Sequence, residues 1–238
     1  MMLMASGGAM LEREKIFTHV RGLLFDFDGT LVRPSIDFTY MRQVVLDVVR
    51  DFGLEEEATG HPHVLELIRH IRALLDARDH GAGRVFEARA QQAIREVELE
   101  AAERTVPYAG VPEMLWELRQ RGFAVGIVTR NCREALQRIL TRFPLAHDVL
   151  LTRDDVSQVK PDPQHLLLAL ERLQVPQEEA LMCGDHPMDV VAGQKLKMAT
   201  VAVLKPGLEP SYFDHVSPDI ILERVTDLLA YLPGRVRR

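Results

Sequence analysis

Short apolar runs, most of them closed by polar residues or glycine, recur along the chain. The first spans residues 22–27, and the others lie in the second half, at residues 123–129, 148–152, 180–184, 200–204 and 219–222. Runs of this length and composition are typical of strands that are buried on both faces. The pattern therefore predicts six strands of a parallel sheet.

Helical periodicity fills the intervals between these runs, at residues 113–121, 133–142, 163–173, 189–196 and 224–232. Alternation of strand and helix predicts an α/β fold whose core is a doubly wound, Rossmann-like parallel sheet. Because the crossovers between parallel strands are right-handed, the carboxyl ends of the strands meet at one edge of the sheet. Ligands bind at that edge in open α/β sheets.

The segment between the first two predicted strands has a different pattern. Residues 35–106 contain helical periods at 37–51, 64–77 and 85–103, separated by glycine-containing breaks, and no strand pattern. This block predicts a small α-helical domain of its own. The α/β core would then consist of residues 1–34 and 107–238.

Composition and charge exclude several classes of protein. The chain of 238 residues is 47% hydrophobic and 27% charged, and its formal charge of -6 provides no basic footprint for nucleic acid. It has no apolar run of about 18 residues that would span a membrane, and residues 1–20 lack the apolar segment of a signal peptide. Cys132 and Cys183 form neither a disulfide framework nor a metal-binding pattern. We expect a cytoplasmic protein that binds neither nucleic acid nor membrane.

Polar side chains lie at the predicted carboxyl ends of the strands, or in a loop before a helix: Asp26, Asp28, Thr129, Lys160, Asp185 and Asp189. Four carboxylates in one small site repel one another and stay ionised together only beside a cation. Hard oxygen ligands without His or Cys favour Mg²⁺. Such a site points to phosphoryl transfer.

Each of these residues alone is ordinary, because an Asp at a strand end is commonly a turn residue or a helix cap. Their occurrence together in this order is a specific signal. In this respect the chain resembles the haloacid dehalogenase superfamily of hydrolases, in its phosphoglycolate phosphatase-like branch. The matching motifs are Asp26-Phe27-Asp28-Gly29-Thr30-Leu31, then Thr129, then Lys160, then Gly184-Asp185 with Asp189 four residues later. The resemblance implies that residues 35–106 form the cap domain of such proteins.

The resemblance also implies a role for each residue. Asp26 would be the nucleophile and Asp28 the general acid and base. Mg²⁺ would be held by Asp26, by the backbone carbonyl of Asp28 and by Asp185. Asp189 would belong to the same metal site and orient Lys160 or a water ligand. Phosphate would be bound by Thr129, by the backbone N–H of Arg130 and by Lys160, and Arg33 is a further candidate for substrate binding.

The expected function is therefore a Mg²⁺-dependent phosphatase, a phosphoric monoester hydrolase that acts on a small phosphate ester through an aspartyl-phosphate. Phosphoglycolate-like compounds and sugar phosphates are both open as substrates. Two alternatives remain open: a phosphomutase of the same superfamily, and a non-catalytic binding protein on the same fold. Dehalogenation is disfavoured because Asp28 supplies a proton that dehalogenases do not need.

One position departs from the usual pattern of these proteins. The helix after the fourth motif commonly ends in Ala-Gly-Met, whereas this chain has Leu196-Lys197-Met198. A glycine there suits a left-handed residue at a helix end. We predict that Lys197 either adopts a positive φ or that the helix ends by another route.

Overall fold

The computed structural model describes residues 17–78 and 81–234. The predictions made for residues 1–16 therefore lie outside the described residues. The chain divides into two compact units, one of Met1–Pro34 with Val106–Arg238 and one of Ser35–Thr105. No helix within the described ranges is long and apolar enough to cross a membrane.

The unit Ser35–Thr105 is built from three α-helices: α1 (Phe38–Asp51), α2 (Val64–Arg78) and α3 (Ala82–Arg104). Helix α1 begins after Asp37, whose side chain accepts a hydrogen bond of 2.9 Å from the Tyr40 amide. The apolar faces of the three helices form a common core that includes Val45, Ile71 and Phe86, each fully buried. The unit thus has its own hydrophobic core.

The other unit contains a six-stranded sheet with the order β3-β2-β1-β4-β5-β6. Every strand pair in it is parallel. The strands are β1 (Gly22–Phe25), β2 (Ala124–Val128), β3 (Val149–Leu151), β4 (Ala180–Gly184), β5 (Ala199–Val203) and β6 (Ile220–Leu222). This confirms the predicted α/β fold class with its doubly wound parallel sheet. The chain grows outward on one side of β1 and then on the other, so β1 and β4 flank the switch point where ligands bind.

Helices of this unit connect the strands: α4 (Val111–Gln120), α5 (Arg133–Arg142), α6 (Gln164–Leu173) and α7 (Pro187–Lys195). The helix predicted at 224–232 is wrong in type, because a 3₁₀-helix spans Val225–Ala230. Val225 and Leu228 are the buried residues of this 3₁₀-helix, and they lie three positions apart. That spacing matches the three-residue turn of a 3₁₀-helix.

Helix α7 ends in the first of the two predicted ways, because Lys197 adopts a positive φ of 56°. The amide of Met198 donates to the Gly193 carbonyl at 3.1 Å, and the amide of Lys197 donates to the Gln194 carbonyl at 3.0 Å. This pair of bonds is the Schellman motif, which requires a left-handed residue at the position of Lys197. A lysine there bears the steric penalty of its Cβ.

Lys197→Gly should therefore raise the free energy of unfolding by up to about 1 kcal/mol, through relief of that penalty. The gain is reduced because glycine also increases the entropy of the unfolded chain. Urea unfolding of the wild type, Lys197→Gly and Lys197→Ala measures the effect, since alanine keeps the Cβ and removes the rest of the side chain. A glycine variant clearly less stable than the alanine variant would refute the strain argument.

Candidate active site

Asp26 is the first residue after β1, and it lies at the carboxyl edge between β2 and β4. Its amide donates a hydrogen bond of 2.9 Å to the Cys183 carbonyl of β4, which extends the pairing of the two strands by one residue. The side chain is 13% exposed. The sheet thus holds the Asp26 backbone rigidly and leaves its carboxylate accessible.

Lys160 links two parts of the site. It lies in the loop before α6, its side chain is only 1% exposed, and its ammonium nitrogen is 2.6 Å from Asp26 Oδ1 and 2.7 Å from Asp189 Oδ1. Asp189 is the third residue of α7, and its Oδ2 accepts a hydrogen bond of 3.2 Å from the His186 amide. Two charge-assisted contacts therefore fix the lysine between the first and fourth motifs.

Asp185 follows β4 directly and is almost completely buried. Its Oδ1 accepts a hydrogen bond of 3.1 Å from the Thr30 hydroxyl, and its Oδ2 is 2.8 Å from the ammonium nitrogen of Lys205. Gly29, at φ 90°, passes so close that a Cβ there would be 2.2 Å from Asp185 Oδ2. The turn after β1 thus needs glycine both for its backbone conformation and for its contact with this carboxylate.

The crowding of carboxylates shifts their pKa values upward. Burial, together with the charge of Asp26, raises the pKa of Asp185 to about 7, against the opposing effect of Lys205. Burial also raises the pKa of Asp189 to about 6, opposed by Lys160. The pKa of Lys160 is lowered by burial and raised more strongly by the two carboxylates, so its net shift is upward. The ammonium stays charged, and the acids carry an excess of negative charge that a further cation would relieve.

The acid cluster has the composition of a magnesium site. Asp26, Asp185 and Asp189 each offer an oxygen, and these atoms lie within 4.8 Å of one another. Asp185 Oδ2 is buried, and its partner in the described ranges is the Lys205 ammonium group, 2.8 Å away. Three carboxylates gathered this closely, each offering an oxygen ligand, fit a hard divalent cation. The carboxylate of Asp28 is not a member of this cluster among the described residues.

Asp28 is held on the neighbouring side of the edge, toward β2. Its Oδ2 accepts a hydrogen bond of 3.1 Å from the Asn131 amide group, and the Thr129 hydroxyl lies 3.4 Å from the same oxygen. Asn131 is itself fixed, because its Oδ1 accepts from the Cys132 amide at 2.8 Å. The two carboxylates after β1 therefore have different contacts. Asp26 contacts the ammonium group of a lysine, whereas Asp28 contacts an amide group and a hydroxyl group.

Arg130, through its backbone N–H, and Arg33 are predicted to bind substrate, and the side chains of both have contacts of their own. The Arg130 guanidinium donates to the Lys160 carbonyl at 3.0 Å and also contacts Met188. The exposed Arg33 guanidinium lies 6.0 Å from the ring centroid of Tyr108. Burial, followed by the charge of Asp185, raises the pKa of that tyrosine.

Comparison with known proteins places this arrangement in a family. A model of the haloacid dehalogenase-like hydrolases matches residues 23–203, which contain all the predicted catalytic and metal residues. The chain belongs to this family.

Solved structures of the haloacid dehalogenase (HAD) family agree with the fold. A HAD phosphatase from Thermococcus onnurineus is 26% identical, with a TM-score of 0.62 over 91% of this chain and 99% of that one. A hydrolase from Pseudomonas syringae is 23% identical, with a TM-score of 0.64 over 88% of this chain and 96% of that one, and it supports the fold alone.

Curated relatives match a shorter part of the chain. The pyrophosphatase PpaX of Bacillus mycoides is 39% identical over 127 residues, which are 52% of this chain and 59% of the relative. The same-named protein of Bacillus cereus is 39% identical over 132 residues, 55% of this chain and 61% of the relative. The chain thus spans about three-fifths of the length of these relatives.

The structure brings Asp26, Lys160, Asp185 and Asp189 of this HAD-family chain into one cluster, with Asp28 and Thr129 beside it. The roles assigned to these residues stay predictions. Sequence reasoning missed Thr30, Asn131 and Lys205 as contact residues of the site. Thr30 lies within the first motif, Asn131 lies two residues after Thr129, and Lys205 closely follows a predicted strand. The signal for Lys205 was its place at the same edge as the acids.

Gly29→Ala should lower the free energy of unfolding by at least about 2 kcal/mol, because it adds a steric clash with Asp185 to the penalty of a positive φ. Gly207→Ala is the matched control: its φ is 85° and a Cβ there meets nothing within 4 Å. Gly207→Ala should lower the free energy of unfolding by only about 1 kcal/mol, which is the conformational penalty alone. Urea unfolding of both variants measures the difference, and equal losses would show that the contact with Asp185 adds nothing.

Proposed function

We propose that this protein is a Mg²⁺-dependent phosphatase that uses the Asp26 carboxylate as its nucleophile. The observation that carries the proposal is the pairing of Asp26 with the buried ammonium of Lys160 at the switch point of the sheet, 2.6 Å apart. The partly exposed Asp28 lies two residues further on and is held by Asn131. This arrangement provides a nucleophile, a charge to support it and a separate acid.

In the first step the Asp26 carboxylate attacks the phosphorus atom, and the bond from phosphorus to the leaving oxygen breaks. Asp28 gives its proton to that oxygen, which leaves as an alcohol, or as inorganic phosphate when the substrate is pyrophosphate. The product on the enzyme is an aspartyl-phosphate. Lys160 offsets the negative charge that gathers around the nucleophile and the phosphoryl oxygens.

In the second step a water molecule attacks the same phosphorus atom. Asp28, now ionised, accepts a proton from this water, and the bond between phosphorus and the Asp26 oxygen breaks. Inorganic phosphate leaves, and Asp26 and protonated Asp28 are restored. The hydrogen bond from Asn131 keeps the Asp28 carboxyl group in place through both transfers.

Asp26, Asp185 and Asp189, with the backbone carbonyl of Asp28, are the groups that would hold Mg²⁺. When bound, the cation would neutralise the carboxylates and stabilise negative charge on the phosphoryl oxygens. Thr129 and the backbone amide of Arg130 would bind the phosphoryl oxygens from the β2 side.

The substrate we propose is a small phosphorylated metabolite, and the unit Ser35–Thr105 is proposed to act as the cap that selects it. Pyrophosphate is the first compound to test, because the curated relatives are named pyrophosphatases. Phosphoglycolate and sugar phosphates follow from the resemblance of the motifs. We include a cytoplasmic location in the proposal, since Cys132 and Cys183 are both buried and form no disulfide.

Release of inorganic phosphate from these compounds, with Mg²⁺ and with EDTA, tests the function directly. A phosphatase releases phosphate only when Mg²⁺ is present. A phosphomutase would isomerise a sugar phosphate without net release, and a non-catalytic protein would do neither.

Asp26→Asn should reduce turnover by at least about a thousandfold, because a carboxamide is a poor nucleophile. Asp162→Asn is the matched control: Asp162 caps the Gln164 amide at 2.9 Å and an asparagine can do the same. Steady-state phosphate release by the two folded variants gives the comparison. Near-wild-type turnover by Asp26→Asn would remove Asp26 from the mechanism.

Two further variants distinguish the proposed proton transfer by Asp28 from the proposed metal binding by Asp185. Asp28→Asn should slow alkyl phosphates more than aryl phosphates, since a phenolate leaves without a proton. Asp185→Asn should instead raise the Mg²⁺ concentration needed for half-maximal rate, since it removes a charged ligand. Magnesium titrations with one substrate of each type measure both effects. Equal slowing of the two substrates by Asp28→Asn, or an unchanged magnesium requirement for Asp185→Asn, contradicts the assignment concerned.

A further inference from the structure

Lys205 lies two residues after β5, at the same edge of the sheet as the acid cluster. Its ammonium nitrogen is 2.8 Å from Asp185 Oδ2, and 32% of its side chain remains exposed. The proposed reaction gives this lysine no task, because attack and proton transfer belong to Asp26 and Asp28. Its contact with a buried candidate metal ligand therefore needs an explanation of its own.

The two oxygens of Asp185 have different surroundings. Oδ1 accepts a hydrogen bond from the Thr30 hydroxyl at 3.1 Å. Oδ2 pairs with the Lys205 ammonium group at 2.8 Å. Because the Thr30 hydroxyl already occupies Oδ1, a cation that takes Asp185 as a ligand would meet Lys205 at Oδ2.

A divalent cation and an ammonium group on the same oxygen repel each other strongly, because burial reduces the screening by water. When the cation binds, one of the two ammonium groups of the site must therefore move away. Lys160 is unsuited to do so, since it is 1% exposed and contacts two carboxylates. Lys205 has one carboxylate partner and a partly exposed, flexible side chain, so it can turn toward solvent.

The balance of charges around the acid cluster also indicates that Lys205 is the group displaced by a cation. Asp26, Asp185 and Asp189 bring three negative charges, and Lys160 and Lys205 bring two positive ones. Lys205 thus neutralises a buried carboxylate that would otherwise be poorly compensated. A metal ion that binds there must first break this ion pair.

We propose that Lys205 is an internal counter-ion that competes with the divalent cation for Asp185. It lowers the affinity of the site for Mg²⁺ and stabilises the protein when no divalent cation is bound. The inference rests on the magnesium site of the proposed function, but it does not depend on the identity of the substrate or on turnover.

Lys205→Met tests the competition, because methionine keeps an unbranched side chain and removes the charge. Calorimetric titration of the protein with MgCl₂ at constant ionic strength should show binding roughly tenfold tighter than wild type, a change of about 1.4 kcal/mol, because the ion pair no longer has to be broken. In EDTA the variant should melt at a lower temperature than the wild type, and saturating Mg²⁺ should reduce that difference. Lys197→Met is the control for net charge, since Lys197 is exposed and lies beyond the opposite end of α7 from Asp189.

The outcomes separate this inference from the proposed function. Equal Mg²⁺ affinity in the wild type and Lys205→Met, or weaker binding by the variant, overturns the competition and leaves the magnesium site intact. No binding by either protein overturns both. A gain in affinity supports the competition, since damage to the fold would not produce it. If Lys205→Met fails to fold, Lys205→Gln receives the same titration, with the same expected gain in affinity.

Discussion

The candidate site depends on one buried ammonium group held between two carboxylates. Lys160 is 1% exposed and lies 2.6 Å from Asp26 and 2.7 Å from Asp189. An unpaired charge at this depth would cost several kcal/mol, and each carboxylate would repel the other without the lysine. The three residues come from different parts of the chain: the end of β1, the loop before α6 and the first turn of α7. Their mutual pairing therefore makes the site a single electrostatic unit, in which removing any one member leaves the others poorly compensated.

The parallel sheet makes this pairing possible by setting β1 and β4 side by side at the switch point. In that register Phe25 lies opposite Cys183, so the residues that follow the two strands emerge next to each other. Close approach then requires small residues. A Cβ on Gly184 would lie 2.2 Å from Asp189 Oδ2, and a Cβ on Gly29 would be equally close to Asp185 Oδ2. The glycines of the first and fourth motifs thus allow the acids to gather.

Sequence alone predicted the sheet and the edge at which these polar side chains gather, because both follow from local pattern and from the rule that parallel strands end at one edge. β4 was predicted at its observed bounds, since a strand buried along its whole length shows as an uninterrupted apolar run. The contacts of Asn131 and Lys205 were missed, because which polar groups meet depends on loop geometry that hydrophobic periodicity does not encode. The helix type at Val225–Ala230 was missed for a related reason, since a short segment with two or three buried positions fits both helical periods.

The arrangement of charge also bears on the choice between a catalyst and a binding protein on the same fold. A purely structural domain gains nothing from burying Asp185 to 2% exposure, where a lysine is needed to offset its charge. Replacing such groups by apolar ones of similar size is often neutral or stabilising. Asp28 is a second argument against a purely structural role. It is partly exposed and oriented by Asn131, although it lies outside the acid cluster. A protein that only bound a metal ion or a phosphate would need the cluster and Lys160, but not a separately held acid beside Asp26. Proton transfer to a leaving group, the role we propose for Asp28, accounts for such an acid.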